Sequence, residues 1–285
     1  MTTTAHRPGP EHGLLLRFTG PLQSWGTHSH FNERDTAPFP TRSGVIGLLA
    51  AALGRRRHEP IDDLTGLSLT VRTDRPGVIL RDLHTVGGGL PAKATVTTAE
   101  GKKRSGDTTT LLTHRTYLAD AAFTVALTHP DGNHPILQTC AVALIRPQWP
   151  LYLGRRSCPP EGPLLLGVTD DALHHLIHLP IAAPPPSRHG TDHGITFTGD
   201  RPLDQLPALA TWPDAAAREP VLTTGEITDQ PVTFHPRRRT YRTRALHQLT
   251  LRPPHAQYKG LGTAQLRALA SYLTDNLVST RRSGS

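Results

Sequence analysis

The spacing of apolar and polar positions predicts a strand and then a helix near the start of the chain. Residues 14–18 form a short apolar run that ends before Gly20 and Pro21, which is typical of a buried strand followed by a turn. From Thr41 the spacing becomes helical, and Thr41 or Ser43 can cap the N-terminus while Gly54 suits the C-terminal end. The apolar face of this helix consists of Val45, Leu48, Leu49, Ala52 and Leu53.

The next segments predict a hairpin and a ribbon. Residues 67–71 and 78–83 have the composition of strands around a turn at 73–77, so we expect them to pair with each other. Residues 87–113 lack apolar periodicity but contain many threonines, which retain strand propensity. This stretch therefore predicts a protruding β-ribbon inserted into the domain.

A further strand and helix complete the first half. Residues 121–127 predict a buried strand, and residues 136–145 predict a helix that ends before Pro147. The predicted order is βαββ, an insertion, and βα. We place this first domain at 12–150, with the insertion at about 85–116.

The second half is less regular, because prolines at 184–186 and 213 interrupt it. Only 164–168, 231–234 and 245–251 resemble strands, which predicts a smaller, loop-rich β part over 151–252.

A C-terminal helical extension is predicted over 253–285, with Thr263 as its N-cap. Its apolar face would consist of Leu266, Leu269, Ala270, Leu273 and Leu277. The predicted class is α+β.

Charge suggests the kind of partner. The 285 residues include 31 basic and 23 acidic side chains, a formal net charge of +8, which favours a polyanionic partner. Arginine-rich usage can also follow from GC-rich codons, so clustering is the better test. The cations group at 55–57, 102–104, 155–156 and 237–244, as expected for a phosphate track.

Several classes of protein are disfavoured. No apolar stretch is long enough to span a bilayer, and no export signal is recognisable, so we expect a cytoplasmic protein without a membrane partner. Cys140 and Cys158 form no CxxC pair. His174, His175 and His178 lack a completing ligand at a suitable spacing, and no P-loop or dinucleotide fingerprint occurs. We therefore predict no metal and no cofactor.

Four sequence blocks carry a resemblance to a known family. They are GPLQSWG at 20–26, FPTRSGVIGLL at 39–49, RDLHTV at 81–86 and YLGRRSCP at 152–159, and YLADAAFTVAL at 117–127 fits the same pattern. Together they resemble the CasD family of subunits in the type I-E CRISPR surveillance complex Cascade, within the RAMP superfamily. The resemblance covers about 14–167 and is loose beyond that.

The resemblance implies a fold and a role. The fold would be a ferredoxin-like domain, related to the RNA recognition motif, with a β-hairpin thumb. The role would be a non-catalytic subunit that caps the 5′ handle of the CRISPR RNA and helps to assemble the backbone for recognition of target DNA. Its neighbours in the complex would be a CasC-type backbone subunit and a large CasA-type subunit.

Two segments have the chemistry to hold the end of a single-stranded RNA. Thr41, Arg42, Ser43 and Gly44 stand where a helix begins, so free N–H groups and a guanidinium can meet a phosphate there. In the alternative, Thr41 and Ser43 only cap the helix. Gln23, Ser24, Trp25 and Gly26 follow a strand, where Trp25 could stack on a base and its neighbours could bind base edges, although tryptophan at a strand end is often a core residue.

Other candidates lie near the insertion and after Gly154. Arg155 and Arg156 are predicted to bind phosphate, with a solvated loop or a protein interface as the alternative. Arg115 and Tyr117 flank the ribbon and could contact RNA or a neighbouring subunit. His84 is a further RNA-binding candidate, with the alternative that it and His114 only pin the base of the ribbon. Three further cations, Lys102, Lys103 and Arg104, stand at the predicted tip of the ribbon, which the resemblance implies is a thumb, with a solvated turn as the alternative.

Two other functions remain open from the sequence. A metal-independent endoribonuclease would need an acid–base set at the RNA, for which His28, His84, His114 and Tyr117 are available. A structural adaptor without RNA contact would leave the clustered arginines unexplained.

Overall fold

The computed structural model describes most of the chain. The described residues are 9–27, 29–30, 32–87, 94, 110–186, 194–204, 206–207, 211–212 and 221–278. The predicted thumb-tip residues Lys102, Lys103 and Arg104 and the candidate acid–base residue His28 lie outside these ranges. None of the helices in the described ranges has both the length and the apolar content needed to cross a bilayer.

Strands from both halves of the chain form one seven-stranded sheet. Its strands are β1 (Gly13–Thr19), β5 (Ser68–Arg75), β8 (Ala122–Thr128), β9 (Leu165–Thr169), β10 (Ile195–Gly199), β11 (Val221–Thr233) and β12 (Thr240–Leu251). All neighbouring strands are antiparallel, and their order across the sheet is β11-β12-β10-β5-β8-β1-β9. The described strands after residue 150 therefore extend the same sheet.

The centre of the sheet is a βαββαβ unit. Helix α1 (Arg42–Ala52) connects β1 to β5, and α3 (Pro135–Ile145) connects β8 to β9. A short helix, α2 (Asp62–Thr65), precedes β5. In order of occurrence along the chain, the four strands stand 2-3-1-4 across the sheet. The predicted strands at 14–18, 67–71 and 121–127 and the helix at 136–145 correspond to β1, β5, β8 and α3, because periodicity of 3.6 or 2 residues is a local property of the sequence. The predicted strand 78–83 is not part of this unit.

Apolar side chains cover both faces of the sheet. On one face, Leu49 of α1 and Leu137 of α3 pack in the same cluster as Leu14 and Leu16. On the other face, Leu15 packs in a second cluster with residues of α4 (Ala172–His178) and α5 (Gly262–Leu273). A strand that is buried on both sides needs consecutive apolar residues, which Leu14, Leu15 and Leu16 provide.

A buried arginine connects the sheet to α4. Arg72 of β5 has no exposed surface, and its guanidinium donates to the carbonyl oxygens of Leu176 at 2.6 Å and Leu179 at 2.8 Å. These carbonyls belong to the C-terminal end of α4, which lacks intrahelical donors. Asp74 pairs with the same guanidinium, so its charge is neutralised inside the fold.

The second sheet contains a long two-stranded ribbon, whereas most of the predicted ribbon, 87–113, lies outside the described residues. Strand β6 (Val78–Val86) pairs antiparallel with β7 (Leu111–Ala119) over nine positions, and β7 also borders β2 (Leu22–Gln23) and β4 (Glu33–Arg34). A two-residue strand, β3 (Ser29–His30), pairs with β4. The predicted hairpin between 67–71 and 78–83 is wrong, because β5 and β6 belong to different sheets. Pro76 and Gly77 turn the chain out of the first sheet, and the second arm of the ribbon supplies the partner of β6.

The C-terminal helix differs from its prediction in two ways. Its N-cap is Leu261 instead of Thr263. Leu266 and Ala270 face solvent, whereas Gln265 and Leu269 are buried. Apolar residues occupy much of this helix surface, so packing against the sheet, which the sequence does not specify, selects the buried side. A π-helical turn, Thr274–Val278, continues α5.

Docking of α5 is expected to depend on pH. The His175 Nδ1 atom of α4 lies 2.9 Å from the Tyr272 hydroxyl of α5, and burial lowers the pKa of His175, with a smaller lowering from His174. His175 therefore binds a proton more readily in the unfolded state than in the folded state. Because protonation then favours unfolding, the free energy of unfolding decreases as the pH falls below about 6.5, the usual pKa of histidine. Chemical denaturation at pH 7.5 and pH 5 should show this loss, and His175→Gln should reduce it. An equal reduction in the exposed-site variant His58→Gln would contradict the assignment.

Candidate nucleic-acid interface

An open groove of about 1050 Å³ lies between the start of α1, the loop after α1, the loop 151–159 and the end of the β11–β12 hairpin. Seven arginines line it, and among the described residues no carboxylate does. These arginines are Arg34, Arg55, Arg56, Arg57, Arg155, Arg156 and Arg239. The groove therefore concentrates positive charge that lining residues do not neutralise, which attracts an anion.

Glycine 154 allows two walls of the groove to meet. It has φ +92°, and a β-carbon there would lie 1.7 Å from the carbonyl oxygen of Ser24. The Ser24 amide donates to the Leu153 carbonyl at 3.0 Å. Only glycine fits this close approach, which brings Arg155 and Arg156 beside the turn after β2.

Five of the seven groove arginines are available for a ligand. Arg55 pairs with Asp63, and this guanidinium lowers the pKa of the Asp63 carboxyl through a hydrogen bond. Arg155 donates to the carbonyl oxygens of Thr116, Arg34 and Asp35 at 2.8–2.9 Å. The other five are exposed and make no ion pair within the described part of the chain: Arg34, Arg56, Arg57, Arg156 and Arg239.

Aromatic rings stand among these cations. Trp149 is 40% exposed, and Tyr152, Phe234 and Tyr241 are partly exposed at the groove wall. Flat rings beside guanidinium groups can stack on unpaired bases while the cations meet the phosphates. The lining residues thus match the chemistry of a single-stranded nucleic acid.

Eight of the thirteen predicted RNA-binding residues line the groove. They are Ser24, Trp25, Gly26, Thr41, Ser43, Gly44, Arg155 and Arg156. The other five, Gln23, Arg42, His84, Arg115 and Tyr117, lie elsewhere. The motifs therefore located the groove, but they did not identify which atoms face it.

The structure gives Trp25 and Gln23 a core role. Trp25 has no exposed surface and stacks on Phe18 with ring centroids 5.5 Å apart. Its indole Nε1 donates to Gln23 Oε1 at 3.1 Å, and the Gln23 amide donates to the carbonyl oxygens of Phe18 and Ala121. A buried ring and a fully bonded amide are unavailable to a base, so the expected stacking on Trp25 is not supported.

Arg42 also has a different role from the predicted one. It is 5% exposed, and its guanidinium pairs with Asp200 and donates to the Thr65 carbonyl at 2.6 Å. Its backbone N–H donates to Asp229 Oδ2 at 2.7 Å. The start of α1 therefore already holds a carboxylate from the same chain, and the expected phosphate contact of Arg42 is not supported. Thr41 caps the helix, with its hydroxyl 3.4 Å from the Gly44 amide.

Arg155 lines the groove, and the buried Tyr117 ring packs against it. The Arg155 guanidinium lies 4.9 Å from the centroid of the Tyr117 ring, which is 4% exposed. Because its donors are directed to backbone carbonyls, Arg155 holds β4 against β7, and Arg156 beside it remains exposed. His84 and Arg115 lie on the ribbon arms outside the groove, at β6 and β7.

One group outside the groove has the residue types of a metal site. Ligand atoms of His129, Asp131 and His134 lie within 4.8 Å of one another. However, the Nδ1 atom of His129 accepts from the Asp131 amide at 3.1 Å, and that of His134 accepts from the Ile136 amide at 3.2 Å. These bonds cap the loop and the start of α3, whose positive dipole end disfavours a cation.

Several groove residues are not among the predicted binding residues. Arg56, Arg57 and Arg239 belong to cation clusters that the sequence singles out, so clustering was the signal that could have placed them in the site. Arg34 and Trp149 are isolated in the sequence and offer no such signal. They reach the groove only because β4 and the end of α3 fold against it.

Comparisons with known proteins agree with this architecture. Residues 13–247 match the family of CRISPR-associated proteins described as Cas_Cas5. The chain is 37% identical over 204 residues to "CRISPR system Cascade subunit CasD" of Escherichia coli (strain K12), covering 68% of this chain and 90% of that protein.

Two solved structures are also similar. A chain from "CRISPR RNA-guided surveillance complex" has a TM-score of 0.72 and 39% identity, covering 92% of this chain and 99% of that one. A second, "Crystal structure of Cas protein", has a TM-score of 0.56 and 30% identity over 88% of this chain and 98% of that one.

Removing the Arg42 guanidinium should destabilise the fold. The Arg42→Ala variant leaves the Asp200 carboxylate buried without its cation, so urea denaturation should show a loss of about 3–5 kcal/mol in unfolding free energy. The matched control Arg56→Ala removes an exposed arginine and should change stability by less than about 0.5 kcal/mol. Unchanged stability in Arg42→Ala, together with weaker RNA binding, would instead support a phosphate contact.

Proposed function

Because this chain belongs to the Cas5 family of CRISPR-associated proteins, we propose that it is a non-catalytic RNA-binding subunit of a CRISPR surveillance complex and holds the 5′ handle of the CRISPR RNA in the arginine-lined groove. The observation that carries this proposal is the groove itself, with seven arginines and, in the described residues, no lining carboxylate. Such a site favours a polyanion over a neutral or cationic ligand.

Groove dimensions and aromatic content favour a single strand. A volume of about 1050 Å³ holds a few nucleotides and is too small to enclose a double helix. Trp149 and Tyr152 can stack on splayed bases, while Arg56, Arg57 and Arg156 meet the phosphates. The resulting contacts would hold the RNA by its backbone and by base stacking.

Strand geometry supports the non-catalytic assignment. In the ribbon, His84 pairs with Thr113, and His114 pairs with Leu83, so His84 and His114 point to opposite faces. Tyr117 points to the same face as His84, but its strand partner Leu80 lies four residues, or about 13 Å, from His84 along β6. These three groups do not converge on one RNA bond, as acid–base cleavage requires.

The architecture is consistent with the RAMP interpretation. We assign the βαββαβ unit, with its strand order 2-3-1-4, as the ferredoxin-like domain. The β6–β7 ribbon corresponds to the thumb, and it presents exposed apolar side chains at Val78, Ile79 and Leu83. An apolar strand at the edge of a sheet is suited to contact with another protein, here a CasC-type backbone subunit.

The wider assembly follows from the same assignment. A large CasA-type subunit would stand beside the handle end, and target DNA would reach this chain only through the complex. The similar protein of Escherichia coli is described as a subunit of Cascade. We expect the complex to work in the cytoplasm.

Loss of groove cations should weaken RNA binding and its dependence on salt. The variant Arg56→Ala/Arg57→Ala/Arg156→Ala should lose roughly tenfold or more in affinity for handle RNA, and the slope of log K against log salt should fall by about 2, since each phosphate contact on a single strand contributes about 0.7. Fluorescence anisotropy across a salt series measures both quantities.

A charge-matched control separates the groove from net charge. Arg146, Lys259 and Arg267 are exposed, do not line the groove and make no ion pair in the described ranges. Their triple alanine variant should bind handle RNA within about twofold of the parent chain. Equal losses in both variants would refute the groove as the RNA site.

No cleavage of repeat RNA is expected from this chain. Incubation of the purified protein with unprocessed repeat RNA, with and without Mg²⁺, should return intact RNA, because His84, His114 and Tyr117 lie apart on the ribbon. Site-specific product that disappears in His84→Ala would establish the endoribonuclease alternative.

A further inference from the structure

Part of the β11–β12 hairpin has no neighbouring strand besides its own partner. Strand β10 pairs with β12 only from His247 to Leu251. Earlier residues of β12 pair with β11 alone, and no strand in the described part of the chain pairs with the other edge of β11. Residues 227–244, here called the hairpin end, therefore depend on contacts with other elements for their position.

The hairpin end supplies one wall of the groove. Its four lining residues combine a cation, two aromatic rings and a hydroxyl, and they are Thr228, Phe234, Arg239 and Tyr241. The other groove arginines belong to loops and to β4, which fold independently of this hairpin. The distance between Arg239 and those arginines is therefore set by how the hairpin end docks.

A β-bulge separates a groove side chain from a buried anchor. The pairing register of β11 shifts between Ile227 and Gln230, so that Thr228 and Asp229 stand opposite one residue, Thr243. The hydroxyl oxygens of Thr228 and Thr243 lie 2.9 Å apart. A bulge breaks the alternation of side chains and re-aims those beside it. Here Thr228 lines the groove, whereas Asp229 is buried.

The Asp229 carboxylate connects both strands of the hairpin to α1. Its Oδ1 atom accepts from Arg244 Nε of β12 at 2.6 Å, and its Oδ2 atom accepts from Arg244 Nη2 at 3.0 Å. The same Oδ2 atom accepts from the backbone N–H of Arg42, the first residue of α1, at 2.7 Å. The first N–H groups of a helix lack intrahelical acceptors and favour a negative charge, so this contact is specific for the start of α1.

Apolar contacts add to the docking but define its geometry less closely. Ile227 and Phe234 are partly buried against the main apolar cluster, and the Phe234 ring lies 3.8 Å from the position that a β-carbon on Gly47 would take. Apolar burial is non-directional, whereas hydrogen bonds to a carboxylate constrain both distance and angle. Asp229 is therefore the contact that fixes where the hairpin end stands.

We infer that Asp229 is the positioning residue of the groove: it docks the hairpin end on α1 and so holds Arg239 and Tyr241 in register with the other groove arginines. Asp229 contacts no RNA itself, because its side chain has no exposed surface. The inference rests on the proposed function in one respect, namely that bound RNA reports where Arg239 stands.

The variant Asp229→Asn keeps the shape of the side chain and removes its charge. An amide has one acceptor oxygen, and its NH2 group would face the Arg244 guanidinium or the Arg42 N–H, which are both donors. At least one of the two connections is then lost. Asp74→Asn is the matched control, since Asp74 is also a buried carboxylate paired with an arginine, Arg72, and does not line the groove.

Hydrogen exchange of the free full-length chain tests the docking without RNA. In Asp229→Asn the backbone amides of 240–244 should exchange roughly tenfold faster than in the parent chain, while those of 248–251, which β10 holds, should change by less than about twofold. Asp74→Asn should not accelerate 240–244 relative to 248–251. Equal acceleration of both segments in Asp229→Asn would overturn the inference, because Asp229 would then only stabilise the whole fold.

Double-mutant cycles with fluorescein-labelled, single-stranded handle RNA test the position of Arg239. Arg239→Ala should weaken binding roughly three- to fivefold in the parent chain and by less than about 1.5-fold in the Asp229→Asn background. Arg57→Ala, in the loop after α1, should cost the same factor in both backgrounds. In the Asp74→Asn background Arg239→Ala should keep its full effect.

An equal cost of Arg239→Ala in the parent chain and in Asp229→Asn would contradict the positioning role. Loss of the Arg57→Ala effect in Asp229→Asn would contradict it as well, because the whole groove would then have changed. If neither Arg239→Ala nor Arg57→Ala alters RNA affinity, the proposed function fails instead, and hydrogen exchange still decides the docking. The milder variant Arg244→Gln cuts the connection to β12 and leaves the carboxylate on the Arg42 N–H, so it serves for both measurements where Asp229→Asn does not fold.

Discussion

Two buried ion pairs at the start of α1 determine where the walls of the groove stand. Arg42 pairs with Asp200 beyond β10, and Asp229 of β11 pairs with Arg244 of β12 while it accepts the Arg42 amide. Burial raises the pKa of Asp200, and the Arg42 charge opposes that shift. Each charge is costly to bury alone, so the helix start, the end of β10 and the hairpin must assemble together.

This arrangement explains why the groove charge comes from loops. A helix N-terminus is a common anion site, but in this fold Asp229 already occupies it. The arginines that remain exposed belong to β4, the loop after α1, the loop 151–159 and the turn before β12. Segments that connect the sheet to its helices thus carry the candidate binding residues, while the ion pairs beneath hold those segments in place.

The seven-stranded sheet has helices on both of its faces. Helices α1 and α3 lie on one face, and α4 and α5 lie on the other, where Arg72 holds the end of α4. A sheet without an open face cannot present aromatic side chains to bases, in contrast to an RNA recognition motif. The arginine-lined groove accordingly lies beside the sheet, among its loops and the end of the β11–β12 hairpin.

Local sequence patterns were sufficient to predict β1, α1, α3 and the clusters of cations, because hydrophobic period and composition are properties that a short window of sequence contains. The blocks at 20–26, 39–49 and 152–159 also contain residues that line the groove. The partner of β6, the buried side of α5 and the direction of each polar side chain depend instead on tertiary packing. Arg42 and Asp200 are 158 residues apart in the chain, and nothing near Arg42 indicates whether its guanidinium meets a phosphate or a buried carboxylate. Long-range packing settles such choices, since burial changes the free energy of a charge or a ring by more than any local preference does.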